Sequence, residues 1–263
     1  MKRVVPLVVL LMLVAGSSPA TSISSGTAQS GHLINGFEIP LMNQWLHFYG
    51  PVADRKTNFA TVEMVALLVR VARVVRNYTG GMRMGVGDCS AENGGDLSRH
   101  ASHNSGRDAD VLFYRTDWRG HPVVAGDFES YDARGRCRSK GCQTRFDLER
   151  NWWVVRTLVS SQRPAVQHVF VSSELRSMLL QHAVKRGEDE EILYRARRVL
   201  RQPSDSSAHS DHFHVRTFCS DEDRRSGCRD SGARWEWIPR DRSPRAHVHD
   251  KDRAHARERK NGK

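Results

Sequence analysis

The chain is short of the features that would tie it to a membrane or to a zinc-finger scaffold. No cysteine follows the N-terminal apolar run, which excludes a lipoprotein anchor at that point. After that run no segment reaches membrane-spanning length, so no span is expected once the leader is removed. There are only five cysteines, Cys89, Cys137, Cys142, Cys219 and Cys228, and their spacing is not that of a zinc finger. Residues 239–263 have almost no apolar side chains and cannot bury a core. That stretch reads as a basic disordered tail, and its three histidines (His247, His249, His255) are expected to be solvated.

The leader itself has the form of a cleaved secretory signal. Lys2 and Arg3 precede the apolar stretch Val4–Ala15, and Ser18-Pro19-Ala20 supplies small residues before a cut after Ala20. A periplasmic or secreted location follows, and the cysteines suit it. Cys137/Cys142 and Cys219/Cys228 can each close a short loop as a local disulfide, leaving Cys89 odd. The formal net charge is +11 and falls to +9 without Lys2 and Arg3. A secreted protein of that charge suits an anionic wall polymer better than nucleic acid.

Residues 21–31, rich in Ser, Gly and Thr, read as a flexible linker, with one folded domain over 32–238. Asn58 or Thr61 can cap a helix whose apolar residues (Val62, Met64, Val65, Leu67, Leu68, Val71, Val74, Val75) recur at three and four, ending at Thr79-Gly80-Gly81. Strands are expected at Met82–Gly87, Asp110–Tyr114, Val166–Val171 and His212–Phe218. Helices are expected from Asp147, from Ser172 or Ser173, and over Glu188–Arg201. Positions 118–145 form a long polar loop, of a length that usually edges or covers a site. The fold class expected is α+β, a single domain with a central, mostly antiparallel sheet flanked by helices.

Two windows, 100–110 and 209–214, hold five of the 13 histidines. The first is His100-Ala-Ser-His103-Asn-Ser-Gly106-Arg-Asp108-Ala-Asp110 and the second His209-Ser-Asp-His212-Phe-His214. On a strand, residues two apart share a face, so His212 and His214 stand side by side, about 6–7 Å apart at the backbone. That spacing suits one metal ligand beside one proton-transfer group. A turn at Gly106 lets His103 fold back towards Asp110. A zinc ion on His103, Asp110 and His214, at about 2.0–2.2 Å, would keep an open position for a water of lowered pKa. The blander alternatives are surface loop histidines and aspartates capping turns. His209 and His100 can equally be groups that orient a ligand.

The run Gly95-Asp96-Leu97-Ser98-Arg99-His100-Ala101-Ser102-His103-x-x-Gly106-x-Asp108-x-Asp110, with His209-x-x-His212-x-His214-Val215-Arg216, resembles the penicillin-insensitive murein endopeptidases. His32-Leu-Ile-Asn-Gly36, the helix before Gly80 and Cys219 fit as well. These enzymes belong to the zinc peptidases with His-x(6)-Asp and His-x-His motifs. The resemblance implies the D,D-peptidase/hedgehog-like zinc peptidase fold, Zn2+ on His103, Asp110 and His214, and peptidoglycan as the partner. It implies His212 as general base or oxyanion stabiliser, His209 assisting, and His100 and Asp108 in support. The reaction implied is hydrolysis of D-alanyl–diaminopimelate cross-links without an acyl-enzyme, hence insensitivity to β-lactams. Alternatives are a D,D-carboxypeptidase of the same group and a non-catalytic wall-binding protein on that fold. An auxiliary Asp-x-x-His metal site of some family members is not carried over, because Asp147-Leu-Glu-Arg150 lacks the histidine.

Overall fold

The computed structural model describes residues 21–204 and 207–239. The expected signal, and all of the tail but Pro239, lie outside them.

The chain opens with β1 (Ile23–Gly26) and β2 (Gly31–Ile34), an antiparallel hairpin. This corrects the linker reading of residues 21–31. The backbone N–H of Ser24 donates to Asp223 (2.6 Å) and its hydroxyl accepts from Arg107 (3.0 Å). Partners so distant in sequence order a segment whose composition alone looks mobile. β3 (Phe37–Glu38) and β4 (Leu46–Phe48) follow, then α1 (Pro51–Arg55) and β5 (Phe59–Ala60). α2 (Val62–Thr79) is capped by the Thr61 hydroxyl, which accepts from the Met64 N–H and satisfies one of the first-turn donors. It buries Met64, Leu67, Leu68, Val71 and Val75.

Next come β6 (Met84–Val86), β7 (Asp108–Leu112) and the short strands β8 (Arg115–Thr116), β9 (Pro122–Val123) and β10 (Arg145–Phe146). α3 (Leu148–Ser160), capped by Asp147, leads to β11 (Val166–Phe170) and to α4 (Ser173–Lys185), capped by Ser172. α5 (Glu190–Val199), β12 (Leu200–Arg201), β13 (His212–Thr217) and α6 (Asp221–Arg225) complete the order. α5 starts two residues after Glu188, because Asp189 accepts from the N–H groups of Glu191 and Ile192 and so takes the cap.

The main sheet has the order β12-β11-β13-β7-β6-β4. Its outer pairs, β11/β12 and β4/β6, are parallel and its three inner pairs antiparallel, so the α+β, mostly antiparallel expectation holds. One face of the inner strands (Ala109, Val111, Val169, Phe213, Val215) joins the apolar core with α2 and α3, including the fully buried Trp152. The other face carries the polar residues described below. The 118–145 segment is not structureless: β9 lies in it and β10 at its end, both pairing with β8 just before it, and Cys137–Cys142 staples it. Cys219–Cys228 is the second disulfide, and Cys89 is free and buried. No helix among the described residues is long and apolar enough to cross a membrane.

Candidate metal centre

Strand alternation delivers most of the site. β13 pairs antiparallel with β7, placing His214 opposite Asp110, Arg216 opposite Asp108 and His212 opposite Leu112. Alternate residues share a face, so both aspartates and both histidines project to the same side. His103 arrives from the β6–β7 loop with φ 76°, a left-handed conformation that costs energy for a non-glycine residue. Its carbonyl accepts from the Ser90 hydroxyl (2.6 Å), which holds that conformation in place. The return to β7 needs Gly106, with φ 73°, where a Cβ would lie 2.7 Å from Leu33.

Three imidazole nitrogens surround one carboxylate oxygen. Asp110 Oδ1 lies 3.3 Å from His103 Nε2, 3.4 Å from His214 Nδ1 and 3.4 Å from His212 Nε2. The opposite nitrogens are committed elsewhere. His103 Nδ1–H donates to the Cys89 carbonyl (2.5 Å), and His214 Nε2–H donates to Asp108 Oδ1 (2.7 Å). Those bonds fix the tautomers, so the lone pairs of His103 Nε2 and His214 Nδ1 face Asp110. His103 Nε2 and both Asp110 oxygens are buried without a hydrogen bond. Buried polar atoms are rarely left so, and a cation among them would satisfy all three. The donor set therefore fits a metal. His100, His103 and Asp110 form one cluster with metal-ligating proximity, and His209, His212 and His214 form another.

The electrostatics are those of a carboxylate shared among imidazoles. Burial would raise the Asp110 carboxyl, but His103 and His212 outweigh it and hold it well below the ordinary carboxylate range. Burial also opposes charge on His212, yet Asp110 and Asp211 together push it up to about 10. His103 is raised as well, Asp110 outweighing burial, so a cation binding at Nε2 would displace a proton there. His214 is the exception: burial lowers it to about 4, so it stays neutral, as a ligand must. Asp108 is held below its usual range because Arg216 (2.6 Å) and His214 outweigh its desolvation.

The sequence also matches a family model. Residues 24–241 fit the model described as penicillin-insensitive murein endopeptidase, starting inside the β1–β2 hairpin. The chain belongs to that family. No curated protein matches the chain. Family membership makes it a peptidase of the class that acts on peptidoglycan.

Within this murein endopeptidase, His103, Asp110, His212 and His214 converge, and Asp108 stands behind His214 as a hydrogen-bond partner. His100 lies to one side: its Nδ1 is 4.0 Å from Asp110 Oδ2, and its Nε2 pairs with Asp88 at 3.0 Å. The His209 ring lies 4.8 Å from that of His212, tilted against it, and donates Nδ1–H to the Ser207 carbonyl. Sequence reasoning missed Asp211, which accepts from His212 Nδ1–H (2.7 Å). Its position next to His212 was the available signal. It also missed Asp88, which binds His100, Thr57 and Arg55 from a loop with no motif spacing. The 118–145 segment does reach the site: Phe128 packs edge-on to His212 at 5.1 Å. Gly87 makes room for it, since a Cβ there would meet the Phe128 ring at 2.6 Å. Asp147, the acid of the run considered for a second metal, caps α3 and pairs with Arg150.

Proposed function

We propose that this protein is a zinc-dependent endopeptidase that hydrolyses D-alanyl–diaminopimelate cross-links of murein outside the cytoplasm. The observation that carries the reading is the buried, unbonded set of His103 Nε2 and the two Asp110 oxygens, joined by the free lone pair of His214 Nδ1. His103, Asp110 and His214 would hold the zinc ion, two imidazoles and a carboxylate being a catalytic donor set. Bound there, zinc supplies Lewis acidity, which polarises a scissile carbonyl and acidifies water.

The protein's own groups do the rest. Asp211 accepts Nδ1–H of His212, and Nε2 faces Asp110, whose charge holds the ring protonated; with that charge engaged by a cation, Nε2 would be free to take a proton from the attacking water and return it to the leaving amine. His209 assists beside it, its ring held by Ser207. Asp108 keeps His214 in the ligating tautomer, and Arg216 keeps Asp108 ionised. Attack by water forms no acyl-enzyme, so a β-lactam has no nucleophile to acylate. Two disulfides suit an oxidising compartment, and the formal charge of +11, or +9 without Lys2 and Arg3, favours an anionic wall.

The test is digestion of purified sacculi with and without a chelator, with products separated by mass. Loss of cross-linked dimers and gain of monomers, blocked by chelation and restored by zinc, is the expected result. Release of D-alanine alone would replace this reading with a D,D-carboxypeptidase. Unchanged sacculi with zinc demonstrably bound would overturn both.

A further inference from the structure

The site face of the sheet continues beyond the metal-ligating cluster. The register sets Asp110, His214, Phe170 and Arg201 in one row, on β7, β13, β11 and β12 in turn. Neighbouring strands lie about 4.8 Å apart, so Arg201 stands roughly 10 Å from His214 at the backbone. Phe170 forms the floor between them, half-buried, with its ring 5.4 Å from that of His214. Arg201 is exposed, and among the described residues its guanidinium makes no hydrogen bond or ion pair.

Arg201 lines a depression of about 440 Å³ together with Arg176, Arg197 and Arg198, and with Gln202 and Trp235. Arg176 is aimed by two backbone carbonyls, those of Leu200 and Arg197, each at 2.8 Å. Arg198 lies over the rings of Trp235 and Tyr194, and the nearest carboxylate, that of Glu236, is 3.8 Å away. Among the described residues these four arginines make one ion pair, that of Arg198 with Glu236. Such a positive field attracts anions. Guanidinium forks match the two oxygens of a carboxylate, giving stronger hydrogen bonds than neutral donors.

We propose that this depression is a carboxylate-binding subsite. It holds a free carboxylate of a murein stem peptide while the bond to be cut lies at the Asp110–His214 end of the row. An extended peptide advances about 3.3 Å per residue, so the carboxylate sits about three residues from the scissile bond. This deepens the murein endopeptidase reading and rests on it for the identity of the ligand.

The experiment compares native sacculi with sacculi whose carboxylates have been converted to amides, using the purified protein and its Arg197→Gln/Arg201→Gln double variant. Bound metal and melting temperature are recorded for each. The double substitution is expected to raise KM on native sacculi about tenfold, about 1.4 kcal/mol of binding. Amidation should raise KM for the parent by a similar factor and add little for the variant, and Arg201→Lys should recover part of the loss. Equal losses for the variant on native and amidated sacculi, or no loss on either, would overturn the proposal. So would weakened binding only after wall phosphodiesters are stripped, which would assign the depression to phosphate. If the parent cleaves neither preparation, the function reading fails, while cosedimentation with the same two preparations still decides the subsite.

Discussion

The two faces of β7 and β13 are equally buried and differ in what holds them. On one face Ala109, Val111, Phe213 and Val215 are at most 1% exposed and pack against helices, where burial of apolar area supplies the stabilisation. On the other, Asp108, Asp110 and His214 are nearly as buried, at 0, 1 and 7%, yet each carries a polar group. Such a face survives only if partners repay its desolvation. Asp108 has them in Arg216 and His214. Asp110 has only imidazoles at 3.3–3.4 Å and unbonded oxygens. The core face is complete as folded protein, and the polar face leaves the Asp110 oxygens unbonded, a set that fits a cation.

The sharpest way to break this contrast is His214→Ala. It should abolish metal retention and bring wall hydrolysis to background, as metal analysis of the dialysed protein would read. His212→Ala should keep the metal and lower kcat by about 10²–10⁴, the usual worth of a general base. Equal metal loss in both variants would show that the ligand and proton-transfer roles are misassigned. On the core face, Phe213→Ala should cost about 3–5 kcal/mol in denaturant unfolding, whether or not metal is bound at the start. Asp108→Asn keeps the shape of the polar face but weakens the grip on His214. Metal affinity should fall about 10–100-fold in a competition titration.

The smallest effect concerns His168, on the polar face opposite Arg216. Burial, then the charges of Arg201 and Arg216, lower it to about 4 from an ordinary value of 6.5. The unfolded chain therefore takes up this proton first as pH falls. The contribution of His168 is full above about pH 6.5 and is lost progressively down to about pH 4, on the order of 1–3 kcal/mol. His168→Phe should flatten that part of the stability curve. An unchanged slope between pH 6.5 and 4 would remove His168 as its source.

Much of this was legible in the chain. Thr61 and Ser172 mark helix starts because a hydroxyl can satisfy a first-turn N–H. The alternation of His212, His214 and Arg216 marks a strand with one polar face. The hairpin at Ile23–Gly26 was illegible, since its Ser24 partners, Asp223 and Arg107, are remote in sequence and its composition resembles a linker. Asp88 escaped for the same reason. The strand β7 begins at Asp108 rather than Asp110, as the pairing of Arg216 with Asp108 extends the ladder backwards.

The sequence alone determined which groups are available: five histidines and three aspartates in two windows, with period-two spacing fixing which of them share a face. Tertiary structure decided which nitrogen of each ring is free and what stands in line with it. The Cys89 carbonyl and Asp108 select the tautomers of His103 and His214, and strand register sets Arg201 in the row of Asp110 and His214. The physical reason is that side-chain periodicity is a property of one strand. Register, hydrogen-bond partners and burial arise only when distant strands meet.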